Sequence, residues 1–562
     1  MTEQTGTSAE NGPPFVRSQL GTTPQPLTLD ASHIARRSGD QSRLGGDRLA
    51  KWGPLGIWIV LAFIITTAVV LVLYGLTRSP VTWVDEVFYA EPSRTLASSG
   101  SLASPMFFNI VGLAHHFFLQ PPTYFLLMAG AYRVLGFSEI VTRLGSAIPY
   151  VAGIAAAFFL VRSLARRVGL DRLLSSVAAL VAACLVAFNQ QSDEMARSGR
   201  ADWLAVVLLF LGWLCVSKVA RAPAHGTIWV SIGFALLVLA GLTHPAVATP
   251  AVGVIVAVTF CSATVRLSRR ALLAGFLSAG LIAASYGTWC LLHFDVWRVQ
   301  FVHHVVSAGS GQSGSFLSTQ AGNVSTFVKH EPFIVAVVLV GLAAFPWRAI
   351  PDALGAIIGM GAVAAISTES YWNFLLLIAM VPAAVGLVVL TTRAASHYRI
   401  LIAGLVVLAL LNGLAFPVLR AYEIHEFYGQ RDPMVVTVNI ERFVPRGSHL
   451  MGTPSVYFAA ISDGAEFRYY QVLYGVRWGD TAQLQPQFRR DVEQYKPTWF
   501  ALPPAIQPDR EYCYLPVRFR RVSTFSAKVS SGLNASGQTS ISYVLWTTTS
   551  PGAPPLCRAR RG

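Results

Sequence analysis

Eleven stretches of this 562-residue sequence are apolar for long enough to cross a bilayer as a helix, which takes about 17 to 25 residues. They fall near 55–77, 142–161, 173–189, 201–217, 227–243, 246–265, 271–292, 333–347, 352–367, 371–390 and 399–417. Hydrophobic residues make up 53% of the chain and charged residues 13%, against roughly a quarter charged in soluble domains, so a water-soluble globular fold is excluded. In lipid every backbone polar group must be satisfied internally, and segments of this length do that as helices. The expected fold class is an all-α polytopic membrane protein of about 11 transmembrane helices.

The net charge of +15 does not mark a nucleic-acid binder, because the basic residues fall in short clusters between the apolar runs. Such clusters mark cytoplasmic loops. They are Arg36, Arg37, Arg43, Arg48 and Lys51; Arg162, Arg166, Arg167 and Arg172; Lys218 and Arg221; Arg266, Arg269 and Arg270; and Arg393 and Arg399. Eleven crossings put all of them inside. A shorter apolar run, 121–137, would force the next three clusters outside if it crossed, so it is expected to be re-entrant or to lie on the surface.

Three regions follow. Residues 1–50 are polar and rich in Gly, Ser, Thr and Pro, with no apolar core of a leader, and are expected to be a disordered cytoplasmic tail. Residues 51–417 form the membrane domain. From 418 to 562, short apolar stretches (VVTVNI, LMGTPSVYFAA, TWFALPP, ISYVLW) alternate with polar turns, the pattern of a small α/β domain, here extracytoplasmic. Cys184, Cys215, Cys261 and Cys290 stand singly in apolar runs and suit packing. Cys513 and Cys557 are candidates for a disulfide if their region faces an oxidising compartment. Asn323-Val-Ser and Asn534-Ala-Ser match the glycosylation pattern, one that recurs by chance.

With this topology the polar residues at odds with their surroundings are nearly all extracytoplasmic. The first outer loop holds Asp85, Glu86 and Glu91 in TWVDEVFYAEPSRTLASSG, then His115 and His116. Adjacent carboxylates at a membrane face suit a general base, and equally suit the first turn of any helix. The second outer loop holds Asp193, Glu194, Arg197, Arg200 and Asp202. Guanidinium groups there suit a phosphate with the carboxylate orienting them, or a headgroup-level ion pair. His244 lies between two spans. A third loop of roughly 40 residues holds His293, His303, His304, Lys329, His330 and Glu331, with Glu369 further on. A histidine pair alone is a weak metal signal. The Gly/Ser-rich stretch after it suits a loop that moves over a site.

The ordered set of these motifs resembles the polytopic GT-C glycosyltransferases of the protein O-mannosyltransferase (glycosyltransferase family 39) and aminoarabinose transferase type. It is carried by Asp85-Glu86 with Tyr89-Ala90 and a helix through Gly100, by QPPTYFLLMAGAYRVLGFSEIVTRLGSAIP, LVRSLARRVG, RADWLAVVLLF and GLTHPAVA, over about residues 80–250. The resemblance implies a polyprenyl-phosphate monosaccharide donor and transfer with inversion to an extracytoplasmic hydroxyl of a lipid, polysaccharide or protein. It makes Asp85 the base, Glu86 its support and Asp202 a second acid of the site. Arg197 and Arg200, with His303 and His304, would meet the lipid phosphate. Tyr89, His115, His116, Gln120 and His244 are further candidates.

Two departures stand out. Relatives carry Lys or His before the Pro-Pro, whereas Gln120 precedes Pro121-Pro122, so a phosphate or metal contact is lost there or supplied by His115 or His116. The aminoarabinose branch holds a metal with an acid and a histidine. His303 or His304 matches the histidine, but Leu119 stands at the acid, so a divalent metal stays open and no other cofactor is implied. A transporter or flippase of a lipid-linked sugar, or a non-catalytic lipid-binding relative, are the alternatives. Acids and bases are nearly absent from the centres of the spans, which counts against ion coupling. The resemblance further implies the bacterial inner membrane.

Overall fold

The structure is a computed structural model and describes residues 54–82, 84–107, 112–219, 225–261, 267–310, 316–366, 372–431, 434–469, 494–505, 517–528 and 540–549. The tail 1–50, Glu369, Cys513, Asn534 and Cys557 lie outside the described residues, as do the side chains of His303, His304 and Asn323.

In chain order the helices are α1 (Pro54–Leu73), α2 (Val84–Ser99), α3 (Thr123–Leu135), α4 (Glu139–Arg167), α5 (Arg172–Ala187), α6 (Gln190–Arg197), α7 (Asp202–Lys218), α8 (Gly226–Gly241) and α9 (Pro245–Val256). They continue with α10 (Arg269–Leu292), α11 (Phe294–Ser310), α12 (Phe316–His330), α13 (Pro332–Ala344), α14 (Pro351–Ile366), α15 (Trp372–Arg393) and α16 (Ser396–Glu426). Every one of the eleven apolar segments holds a helix. Among the described residues α1, α4, α10, α15 and α16 are long and apolar enough to cross a membrane, and the pair α5–α6, bent by 60°, makes a sixth. The chain is an integral membrane protein. Five of the described helices, or six with the bent pair counted as one span, meet this test of length and composition. Helices such as α8, α9, α13 and α14 are shorter apolar helices of 10–17 residues.

The expected surface segment 121–137 is α3, 13 residues long. It buries Tyr124, Phe125, Met128, Ala129 and Tyr132 and exposes Leu126, Leu127, Val134 and Leu135. The stretch expected as a third outer loop carries α11 and α12.

The helix α15 is mostly buried, whereas α1, α10 and α16 expose most of their apolar surface, as helices facing lipid do. Packing within the bundle depends on small residues, because lipid offers no hydrophobic drive and close approach supplies the contact energy. A Cβ on Gly253 of α9 would run into the carbonyl of Gly355 of α14, and one on Gly413 of α16 into the carbonyl of Phe188.

Beyond α16, which runs past the expected boundary at 418, lie β1 (His449–Gly452), β2 (Glu466–Tyr469), β3 (Trp499–Leu502), β4 (Arg518–Lys528) and β5 (Ser540–Thr549), with helices α17 (Met434–Phe443) and α18 (Tyr457–Ser462). The sheet order is β2-β1-β3-β5-β4: β1 is parallel to β2 and β3, and β5 is antiparallel to β3 and β4. Its core is continuous with the first outer loop. One apolar cluster joins Val87, Phe88, Tyr89 and Ala90 of α2 to Met451, Val456, Tyr457 and Phe467.

Candidate active site

The turn between α6 and α7 carries the centre of the site. Asn189 closes α5 and opens α6: its side-chain amide donates to the carbonyl of Leu185 at 2.8 Å, and its Oδ1 accepts from Ser192 N at 2.8 Å. That fixes the bend and aims residues 198–202 at α2. Gly199 has φ +61°, and a Cβ there would lie 2.9 Å from Thr142 Cγ2 and 3.1 Å from Glu86 Cγ, so only glycine lets this turn press on α2. The Gly199 carbonyl accepts from Tyr124 Oη at 2.9 Å and the Arg200 carbonyl from Ser146 Oγ at 2.8 Å.

Held in this way, Arg200 lies between two carboxylates. Its Nη1 donates to Asp85 Oδ2 at 3.0 Å, and its Nε lies 2.9 Å from Asp202 Oδ2. The other oxygen of Asp202 is 3.6 Å from His244 Nε2. His244 is the N-cap of α9, accepting from Ala246 N through Nδ1 at 3.3 Å. The result is a row, Asp85–Arg200–Asp202–His244. Its solvent-facing end is Asp85, 35% exposed, and its closed end is Asp202 with His244, 1% and 4% exposed.

Helix N-termini converge on this row. Asp85 stands in the first turn of α2, Asp202 opens α7 and His244 caps α9. The start of α3 joins them through Thr123 N, which donates to the Leu242 carbonyl at 3.3 Å. Each N-terminus brings the positive end of a helix dipole, so the region favours an anion.

The neighbour of Asp85 has a different place. Glu86 is fully buried and takes a two-point ion pair from Arg143, Nε to Oε1 at 2.7 Å and Nη2 to Oε2 at 3.0 Å. Arg143 also donates to the carbonyls of Leu76 at 2.6 Å and Pro80 at 2.9 Å and contacts Glu139 at 3.1 Å. Burial pushes the Glu86 carboxyl up and Arg143 opposes it. Glu86 therefore anchors α2 and faces away from solvent.

Arg197 departs from the phosphate role expected of it. It is fully buried, and its guanidinium donates to the carbonyls of Leu71, Val72, Tyr74, Gly75 and Ser79, where α1 ends. The last carbonyls of a helix have no partner within it, and Arg197 supplies one to Leu71 and Val72. Its donors are thus engaged by backbone, away from the row.

Tyr89 is buried in an aromatic group, 5.4 Å edge-on to Tyr124 and 5.8 Å stacked on Phe125. The His116 ring lies tilted against His293 with centroids 4.4 Å apart, and burial, with His293 and His115 beside it, pushes its pKa down. Gln300 of α11 clasps this loop, its Oε1 accepting from Phe118 N and its Nε2 donating to the His116 carbonyl, both at 2.7 Å. Gln120 has a buried Oε1 without a hydrogen-bond partner among the described residues. Neither His115 nor His116 is paired with the row. Among the described residues no group of three His, Cys, Asp or Glu side chains is arranged to hold a metal ion.

Sequence reasoning named Glu91 without its partners Arg94 and Tyr457 and missed Arg143. Arg143 had a signal, a charge just inside an apolar segment, which calls for a partner.

No protein-family model matches the chain, and no curated protein matches it. Solved structures do. ArnT from Cupriavidus metallidurans bound to undecaprenyl phosphate superimposes with TM-score 0.54 at 15% identity, covering 88% of this chain and 98% of that one. The same protein in the apo state gives 0.53 at 14%, with the same coverage. The arabinofuranosyltransferase AftD from Mycobacteria gives 0.49 at 14%, covering 88% of this chain and 40% of that one. The chain has the fold of the polytopic GT-C glycosyltransferases.

Proposed function

We propose that the chain transfers a monosaccharide from a polyprenyl-phosphate-sugar to a hydroxyl on the extracytoplasmic side, with inversion. The observation that carries this reading is the Asp85–Arg200–Asp202–His244 row with helix N-termini around it. It combines an accessible carboxylate with a guanidinium set among helix N-termini, the two things an inverting transfer from a phosphate donor needs.

Asp85 takes the proton of the acceptor hydroxyl as its oxygen attacks the anomeric carbon. The bond from that carbon to the phosphate oxygen breaks on the opposite face, and the leaving polyprenyl phosphate keeps the electron pair. Arg200 and the helix N-termini stabilise the charge that develops there, so no general acid is required. Asp202 and His244 orient Arg200, and Glu86 with Arg143 keeps α2 at the right depth. Support for a lipid phosphate also comes from the similar fold of ArnT, whose structure holds undecaprenyl phosphate.

The proposed setting is a bacterial inner membrane, with the N-terminus inside, eleven crossings that include short helices, and the C-terminal domain outside. The support is charge: the basic clusters named above then all face the cytoplasm.

The test is transfer of radiolabelled sugar from a panel of polyprenyl-phosphate monosaccharides by the purified chain, compared with Asp85→Asn. Transfer from one donor, reduced by about 10² to 10⁴ in the variant, is the expected result. Absence of transfer from every donor by the wild type would overturn the reading.

A further inference from the structure

The helix that carries Asp85 has little to hold it as a helix on its own. It has 16 residues of low apolar content, and Pro92 in its interior removes the hydrogen bond to the Phe88 carbonyl. Its position is set from outside. One anchor is Glu86 on Arg143, within the membrane domain. The second comes from the C-terminal domain: the hydroxyl of Tyr457 donates to Glu91 Oε2. Arg94 completes this contact, Nε to Oε2 at 3.0 Å and Nη2 to Oε1 at 3.1 Å. Glu91 is 2% exposed and Tyr457 0%.

Tyr457 is itself rigidly placed. It opens α18 just beyond β1, where Ser455 Oγ bonds Thr453 Oγ1 and Tyr543 Oη, each at 2.8 Å, tying that turn to β5. Phe137, in the turn between α3 and α4, stacks on Phe458 at 5.6 Å and meets Tyr457 edge-on at 6.0 Å. The phenol is therefore a fixed point against which α2 is registered, about 9 Å along the helix from Asp85.

We propose that Tyr457 is a positioning residue for the transfer reaction: the C-terminal domain holds α2, and through it Asp85, by the Tyr457–Glu91 hydrogen bond. This rests on the sugar-transfer reading above. The domain is then part of the catalytic unit. Loss of the phenol hydroxyl leaves a buried carboxylate short of a donor and lets α2 shift relative to Arg200.

The experiment uses the full chain in detergent, with Tyr457→Phe, Glu91→Gln and the double variant. Two readouts are taken: amide hydrogen exchange across α2, and steady-state transfer from the donor identified by the panel. Tyr457→Phe is expected to speed exchange in α2 selectively and to lower kcat roughly tenfold, with the donor KM within about twofold. Glu91→Gln keeps an acceptor for the phenol and is expected to retain most of the protection and the rate, while the double variant matches Tyr457→Phe alone. Wild-type exchange in α2 together with wild-type kcat in Tyr457→Phe would overturn the proposal. So would faster exchange spread over the whole chain, which would mark general destabilisation. If the wild type transfers no sugar, the sugar-transfer reading alone fails, and the exchange readout still decides whether Tyr457 holds α2.

Discussion

Asp85 and Glu86 are consecutive in the chain and end in opposite environments, because successive helical side chains point about 100° apart. Glu86 meets a guanidinium 57 positions on, a partner that no local pattern names, so the acidic pair was legible and its division of labour was not. The arginines of the second loop divide in the same way: Arg197 and Arg200, three apart, go to the end of α1 and to the row. A buried pair broken on one side leaves an uncompensated charge, which costs about 3–5 kcal/mol. Arg143→Met is therefore expected to lower the melting temperature of the purified protein strongly. Adding Glu86→Met is expected to restore much of the loss, since two apolar groups leave no charge buried. Equal melting of wild type and Arg143→Met would show that the pair anchors nothing.

At the scale of elements, the apolar runs located all eleven helices because a lipid-facing segment has to be apolar along its length. Helix length was not legible. Several runs end where a loop dips into the bundle, as at the α5–α6 bend, which depends on Asn189 and on Glu331 at the start of α13. Glu331 accepts from the backbone N–H of Gln190. Burial pushes its carboxyl from 4.5 to about 7, the Gln190 and Gln191 amides pull it down, and Glu194 adds to the rise. The folded state thus holds this proton more tightly than the unfolded state does. Its effect on stability is nil below about pH 4.5, where both states are protonated; stability is lost as pH rises through 4.5 to 7, and the loss is complete above 7. Thermal melts between pH 5 and pH 8 are expected to show a smaller fall for Glu331→Gln than for the wild type. An identical fall would exclude Glu331 as its source.

At the scale of the whole molecule, α4 links two charged ends. Arg143 lies with Glu86 near the row, and Arg167 pairs with Asp352 at 2.8 Å; the 24 residues between them span about 36 Å, more than a hydrocarbon core. The proposed topology puts the second end inside. In a cysteine-free background, Ser462→Cys is expected to react with an impermeant thiol reagent in intact cells, and Ala395→Cys only after permeabilisation. The reverse pattern would invert the topology. The apolar runs made the membrane class legible, whereas the core shared by α2 and the C-terminal sheet depends on contacts several hundred residues apart. The central claim is that Asp85 does chemistry while Arg200 holds the lipid phosphate. The most direct test is to measure undecaprenyl phosphate binding and single-turnover transfer side by side in the wild type, Asp85→Asn and Arg200→Ala. The expected result is unchanged binding with transfer down about 10² to 10⁴ in Asp85→Asn, and binding weakened by about tenfold or more in Arg200→Ala. Wild-type transfer by Asp85→Asn would contradict the account.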